Sequence, residues 1–254
     1  MKFTLLGSGT SQGVPVLGCS CPACLSSDPR DKRFRCSALV SDGKTNVVID
    51  VGPDFRAQML KHKVDRVDAV VLTHEHNDHI IGLDDLRPYI FRNKAHMKIY
   101  GEKRVLDDIK DRFRYAFEPH EYPGIPRFEL VEIVPGDQIR VGDITLEALR
   151  IMHGQLPILA YKINTLAYLT DTSSIPSETK EKLHGVEYLV LDALREKKHH
   201  SHFNLEEAID VSRELKAQTT YFIHVSHLLG PTSEWEKKIP AGTLPSFDGL
   251  ELDV

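Results

Sequence analysis

The chain of 254 residues has no run of about 18 apolar residues, so no membrane-spanning helix is implied. A secretory leader is not expected either. Met1-Lys2-Phe3-Thr4-Leu5-Leu6-Gly7 is short and is broken at once by glycine. Positive charge is not in excess: the formal net charge is −5. That excludes a global basic field drawing the protein to nucleic acid and leaves only local patches. No internal repeat of fixed period and no low-complexity segment is present. Cysteine is sparse. Of four, Cys19, Cys21 and Cys24 are bunched and Cys36 stands apart. A soluble, cytoplasmic protein is expected, and in that compartment clustered thiols favour metal over disulfide. A 41% hydrophobic composition still supplies a large core, as one α/β domain or two small ones.

What is present is histidine, concentrated in Thr73-His74-Glu75-His76-Asn77-Asp78-His79. This stretch follows Ala69-Val70-Val71-Leu72, which reads as a buried strand, and precedes Ile80 to Leu86, where a helix is expected to begin. It therefore lies at the C-terminal end of a strand, where open α/β sheets place their sites. On a tight loop the ligands at i and i+2 can turn to one point, and those at i+4 and i+5 to another. A solvated His-rich turn would not require this spacing. Imidazole and carboxylate are ligands that divalent metals prefer, and two ions in one pocket fit the pattern.

His74-x-His76-x-Asp78-His79 resembles the signature of the metallo-β-lactamase superfamily. The resemblance implies a four-layer αββα sandwich, metallo-β-lactamase-like, occupying residues 1–254 as one domain. The chain pattern is compatible with this. Strands are expected at Lys2–Leu6, Ser37–Ser41, Asn46–Val51, Ala69–Thr73 and Met97–Tyr100. In a second half they are expected at Phe128–Ile133, Ile144–Arg150, Leu159–Ile163, Ala167–Leu169, Tyr188–Leu191 and Thr219–Ile223. Helices are expected at Asp54–His62, Lys103–Tyr115, Ser177–Leu183 and Leu205–Leu215, the last with Asn204 as N-cap. Glu118–Pro126 reads as irregular, the tail from Pro231 is punctuated by proline and glycine, and residues 103–128 read as a wall of the pocket. Asp28–Arg35 reads as a solvated basic loop. The glycine-rich Gly7–Gly13 turn could approach a phosphate, or it could serve close packing.

Further ligand candidates end strands: His153, Asp171 and His224, in the superfamily's order. The resemblance implies that His74, His76 and His153 bind a first ion, that Asp78, His79 and His224 bind a second, and that Asp171 bridges them. Asp50 matches an aspartate that braces the loop. Two divalent ions, zinc or manganese, would lower the pKa of a shared water and supply a bridging hydroxide. Asp78 and Asp171 would thus serve catalysis as well as binding. Separately, Cys19, Cys21 and Cys24 need a fourth ligand for tetrahedral closure, and His227 is the best candidate by exclusion, giving one structural zinc.

Val14–Cys24, Gly82–Pro88, His202–Ala208 and His224-Val-Ser-His227 narrow the resemblance. They look like the phosphoribosyl 1,2-cyclic phosphate phosphodiesterase branch of the carbon–phosphorus lyase pathway. In that branch the catalytic imidazole falls on His202. His199 and His200 read equally as surface residues, and Arg195, Lys197 and Lys198 as a solvated turn or as partners for an anion. The expected function is metal-dependent hydrolysis of a small (cyclic) phosphodiester by a cytoplasmic enzyme with no membrane or nucleic-acid partner, compatible with a homodimer. Two alternatives are a tRNA 3′-processing nuclease and a non-catalytic accessory protein of cofactor biosynthesis. The first is disfavoured by the lack of a glycine- and proline-rich arm, the second by a complete set of seven ligands.

Overall fold

The computed structural model describes residues 1–119 and 124–254. In the first half are β1 (Lys2–Gly7), β2 (Ser37–Ser41), β3 (Asn46–Ile49), β4 (Ala69–Val71), β5 (Met97–Gly101) and β6 (Phe128–Glu132). In the second are β7 (Gln138–Val141), β8 (Ile144–His153), β9 (Leu156–Ile163), β10 (Leu166–Leu169), β11 (Tyr188–Asp192), β12 (Thr219–Ile223), β13 (Thr243–Pro245) and β14 (Glu251–Asp253). They form two seven-stranded sheets, ordered β14-β1-β2-β3-β4-β5-β6 and β13-β12-β11-β10-β9-β8-β7.

Each sheet changes character at its middle. The strands from β14 through β1 and β2 to β3 are antiparallel, and those from β3 to β6 are parallel. In the second sheet β7 to β10 are antiparallel, and β10 to β13 are parallel. Parallel strands covered on both faces run apolar throughout, which is why β4 and β10 carry no polar alternation. Asp42 makes the β2–β3 turn by accepting the N–H groups of Lys44 and Thr45 at 2.8 and 2.6 Å.

Three apolar layers hold the sandwich. Phe3, Leu5, Val40 and Ile49 of one sheet meet Leu146, Tyr161 and Tyr168 of the other. The first sheet's outer face packs on Phe55, Met59, Tyr89, Leu106 and Ile109. The second sheet's outer face packs on Leu183, Ala208, Leu215 and Trp235. The helix Leu205–Leu215 begins in a capping box in which Asn204 and Glu207 each accept the other's backbone N–H. The result is the expected α/β sandwich: two mixed sheets face to face with helices outside. No helix of the described residues is long and apolar enough to cross a membrane.

Several local expectations are corrected. The helix after β4 starts inside the histidine loop, at Asn77–Ile80, and continues as 3-10 turns over Ile81–Leu86 before Arg87–Asn93. The proline- and glycine-punctuated tail supplies two strands that were not expected, β13 and β14, and they close one edge of each sheet. β7 was not expected at all. The Asp28–Arg35 loop is only partly solvated: Arg33 is buried and donates to Ser8 Oγ, Ser246 O and Thr232 Oγ1, while buried Asp31 accepts from Thr232. The glycine-rich turn serves close packing, because a Cβ on Gly7 would sit 1.9 Å from Arg35 O. The centre of the irregular Glu118–Pro126 stretch, residues 120–123, lies outside the described residues.

Asp248 ties the tail to the first turn. Its carboxylate accepts Ser8 N–H and Oγ–H at 2.9 and 2.7 Å and Phe34 N–H at 2.6 Å. The dry surroundings of this half-buried group push its pKa up to about 6. A carboxyl that is harder to ionise folded than unfolded loses stabilising weight as pH rises. The window runs from about 4, the ordinary value, to about 6. Asp248→Ala is expected to cost about 2–4 kcal/mol, because two backbone donors lose their acceptor. Asp248→Asn should cost less and flatten stability between those pH values. Urea denaturation at pH 4.5 and 7 measures both.

Candidate metal centre

The carboxyl ends of the parallel strands converge where the two sheets meet. β3 is followed by Asp50, β4 runs into His74, β8 ends at His153, β10 is followed by Asp171, β11 ends at Asp192 and β12 is followed by His224. Asp50, Asp171 and His224 adopt left-handed backbone, with φ of 61°, 54° and 57°. For residues with a Cβ this conformation is strained, and it turns the chain sharply as each strand stops.

Buried Asp50 organises the loop. It accepts Thr73 N–H at 2.8 Å, Thr73 Oγ1–H at 2.8 Å and His79 Nδ1–H at 2.7 Å. With its proton given to Asp50, the Thr73 hydroxyl accepts from His74 Nδ1 at 3.0 Å. Both imidazoles therefore carry a proton on Nδ1 and turn Nε2 toward the cleft. His153 Nδ1 likewise donates to Ser201 O at 2.7 Å. Backbone contacts fix the loop against β3: Val51 N–H donates to His79 O at 2.7 Å and Gly82 N–H to Val51 O at 2.9 Å. A Cβ on Gly52 would lie 2.0 Å from Asp78 O, and one on Gly82 would lie 2.1 Å from Gly52 O. Only glycine permits this approach.

All seven expected ligands come together. Ligand atoms of His74, His76 and His153 lie within 4.8 Å of one another, as do those of His74, His79 and Asp171. Asp171 is central, with one oxygen 3.3 Å from His79 Nε2 and the other 3.3 Å from His224 Nε2. Asp78 Oδ2 is 3.2 Å from His79 Nε2. His76 is the exposed member, at the mouth. Burial pushes His79 toward the neutral form, yet Asp78, Asp171 and Asp50 outweigh it and hold its pKa well above the ordinary value. Burial dominates at His74 and His224 and depresses both. His79 Nε2 and both ring nitrogens of His224 are buried without a hydrogen-bond partner. Orphaned nitrogens facing crowded carboxylates fit divalent cations, so the donor set matches the metals expected of it.

A second cluster joins Cys19, Cys21, Cys24 and His227. Cys19 Sγ and Cys21 Sγ lie 3.3 and 3.4 Å from His227 Nδ1. These separations are near the edge of about 3.6 Å for a tetrahedron of ligands about 2.2 Å from one ion. The Cys24 backbone N–H, and then His227, bring the Cys21 thiol down to about 6, toward thiolate at neutral pH. Cys36 is buried away from this group.

His202 enters the main cleft. Its ligand atoms group with His153 and Asp171, and again with Asp192 and His224. Its ring stacks on His224 at 4.5 Å. Sequence reasoning missed Asp192, whose Oδ2 lies 2.7 Å from His202 Nδ1 and accepts Thr172 N–H at 2.8 Å. The available signal was a carboxylate closing an apolar strand, as at Asp50. Helix Lys103–Arg112 flanks the loop through the Arg104–Glu75 ion pair and an Arg112–Asn77 bond of 2.5 Å, in keeping with the expected wall.

A model of the Beta-lactamase superfamily domain matches residues 45–225. A crystal structure of a new diphosphatase from the PhnP family superposes with a TM-score of 0.92 at 40% identity, covering 99% of this chain and 96% of that one. Zn(2+)-bound PqqB from Methylobacterium extorquens shares the fold, with a TM-score of 0.79 at 18% identity over 100% of both chains. An octanoyltransferase of Porphyromonas gingivalis (strain W83) is 44% identical over 256 residues, covering 100% of this chain and 52% of that protein. The chain spans about half the length of the curated relatives it matches.

The geometry makes Gly82→Ala a test of the loop pair. Forcing Val51–Gly52 away from Asp78–Gly82 is expected to cost about 1–3 kcal/mol. That lowers Tm by several degrees and reduces bound divalent metal, read by calorimetry and elemental analysis. An unchanged Tm would mean that this close approach is dispensable.

Proposed function

The chain belongs to the metallo-β-lactamase superfamily, in its PhnP family, and from that premise we propose that it is a metal-dependent phosphohydrolase acting on a small phosphodiester or diphosphate. One observation carries the reading: His202, braced by Asp192, adjoins the ligand cluster while being surplus to a complete set of seven. A scaffold has no use for such a group. This favours a hydrolase over an accessory protein of cofactor synthesis, and the absence of a basic field favours a small substrate over tRNA.

In this proposal His74, His76 and His153 would hold one ion, and Asp78, His79 and His224 would hold a second. Asp171 is shared, and zinc or manganese fits the donors. When bound, the pair supplies an activated water and neutralises charge at phosphorus. Cys19, Cys21, Cys24 and His227 hold a structural zinc. Asp50 keeps the Nδ1 protons of His79 and, through Thr73, of His74 in place, so the Nε2 atoms stay available. As water oxygen bonds to phosphorus and gives up a proton to solvent, the bond to the leaving oxygen breaks, and His202 gives that oxygen a proton from Nε2, to be reprotonated afterwards. Burial pushes the Asp192 carboxyl well up and His202 down, so the pair shares one exchangeable proton across its 2.7 Å contact. The proposed setting is the cytoplasm, where reduced thiols stay available to hold zinc.

Asp171→Ala should strip the catalytic ions while leaving zinc at the cysteine cluster, read by elemental analysis. Near-normal turnover in that variant would remove Asp171 from its role. His202→Ala tests the carrying observation. It should keep fold and metals but lose about 10²–10⁴-fold in turnover on an alkyl cyclic phosphodiester. Loss on a nitrophenyl ester should be far smaller, because a nitrophenolate departs without a proton. Equal losses on both would assign His202 to positioning, and lost metal would make it a ligand.

A further inference from the structure

The histidine loop alternates ligand candidates with residues that are not ligands: His74, His76 and Asp78 against Glu75 and Asn77. Both intervening side chains are held by arginines of one helix, Lys103–Arg112. Arg104 pairs with Glu75 Oε1, and Arg112 Nη1 donates to Asn77 Oδ1 at 2.5 Å. The helix is a firm base, because Val105, Leu106 and Ile109 are buried in the outer layer of the first sheet. Asp108, one turn back, aims the Arg112 guanidinium.

Arg104 makes a second bond, donating from Nη2 to Pro157 O at 2.9 Å. That bond extends a series. Alternate residues of β9 grip the chain as it leaves β4: Tyr161 Oη–H donates to Leu72 O at 2.6 Å, and Leu159 N–H donates to Thr73 O at 3.1 Å. Pro157 is next in the series and has no N–H to give. Arg104 supplies the missing link, from Pro157 O to Glu75. Pro157 pairs with Met152 in the hairpin that carries His153. One guanidinium therefore joins the residue before His76 to the strand pair that ends in His153.

This matters most at His76. Of the three imidazoles assigned to the first ion, His74 Nδ1 is braced by Thr73 Oγ1 and His153 Nδ1 by Ser201 O. Among the described residues His76 has no such brace; it is exposed, and its ring meets only His74 Nε2, at 3.0 Å. Its place is set by its backbone, and so by the neighbours on either side. Glu75 makes that setting sensitive to Arg104, because its Oε2 is buried with no hydrogen-bond partner. Without the guanidinium the carboxylate would carry an uncompensated charge and turn out toward water.

We propose that Arg104 and Arg112 are positioning residues that hold His76 against His74 and His153 and so set the occupancy of the first metal site. The inference rests on the ligand assignment of the phosphohydrolase reading and adds control of that site by a helix that supplies no ligand.

Calorimetric titration with Mn²⁺, after a chelator has removed the cleft ions, reads each site without turnover. Thiolates do not favour manganese, so the cysteine cluster stays out of the measurement. Wild type should take up two ions. Arg104→Met/Arg112→Met should weaken one of them about 10–100-fold, the usual effect of losing a partner that orients a ligand, and leave the other within about threefold. His76→Ala identifies the ion: in that background the number and affinity of bound ions should be the same with or without the arginine substitutions. Glu75→Gln, which still accepts from Arg104, should keep most of the wild-type affinity, whereas Glu75→Ala should not. Should the double variant not fold, that pair carries the comparison. Unchanged affinity in the double variant, equal weakening of both ions, or a further loss in the His76→Ala background overturns the positioning role. A wild type that binds fewer than two ions would instead overturn the ligand assignment. Titrations as expected, with no phosphorus ester hydrolysed, would overturn the phosphohydrolase reading alone.

Discussion

Three donors converge on the Asp50 carboxylate: Thr73 N–H, Thr73 Oγ1–H and His79 Nδ1–H, at 2.8, 2.8 and 2.7 Å. The group is wholly buried, and burial alone drives its pKa up against these partners. Removing one donor would leave an expensive charge, so the three hold each other in place. Their combined effect is on protons. Each imidazole tied to Asp50, directly or through Thr73, keeps hydrogen on Nδ1 and presents Nε2 to the cleft. A loop that displayed the same histidines in mixed tautomers would offer a cation an inconsistent face. Asp50 also joins β3 to the loop after β4, so packing of the first sheet and readiness of the cleft are one condition.

The second sheet repeats the device with different residues. Asp192 stands at the end of β11 as Asp50 stands at the end of β3, buried and raised by burial, and it faces His202 as Asp50 faces His79. Asp171 and His224 leave β10 and β12 in left-handed backbone, like Asp50 after β3. Such conformations cost of order 1–3 kcal/mol each. They persist because the strands before them are locked on both faces by apolar layers, which overdetermine where each strand ends. The two halves of the sandwich therefore bring opposed carboxylates and imidazoles to one seam. Neither sheet supplies the cluster alone.

The ligand candidates were legible because each is a polar residue that stops an apolar run, and a buried strand end is a costly place for an idle histidine. The sandwich was legible for the same reason: strands as uniformly apolar as Val47–Ile49 and Leu166–Leu169 need cover on both sides. What stayed hidden depends on partners distant in sequence. Arg33 reads as a surface cation until Ser8, Thr232 and Ser246 surround it. Glu251-Leu252-Asp253 has too little pattern to be a strand without β1 beside it. Asp192 ends a strand just as Asp171 follows one, but it gains meaning only when His202 returns across ten residues to meet it. Gly7 looked like a loop residue, and its reason is the Arg35 carbonyl 1.9 Å from where a Cβ would be.

The stretch His224-Val225-Ser226-His227 serves both ligand clusters. His224 faces Asp171 in the cleft, and three residues later His227 meets Cys19 and Cys21. Between them Val225 is held on both sides of its backbone, donating to Ser8 O at 3.1 Å and accepting from Thr10 N–H at 3.2 Å. The first turn of the chain thus grips the end of β12, and the cysteines that follow this turn grip the next residues. A chain reaching His224 in strained left-handed backbone needs such an anchor, because the strain would otherwise relax by withdrawing the imidazole from the cleft. The glycine-rich turn, the cysteine cluster and buried Arg33 are then parts of one clamp. Their position at the opposite end of the sequence from His224 explains why the turn after β1 must reach the end of β12 before the cleft is complete.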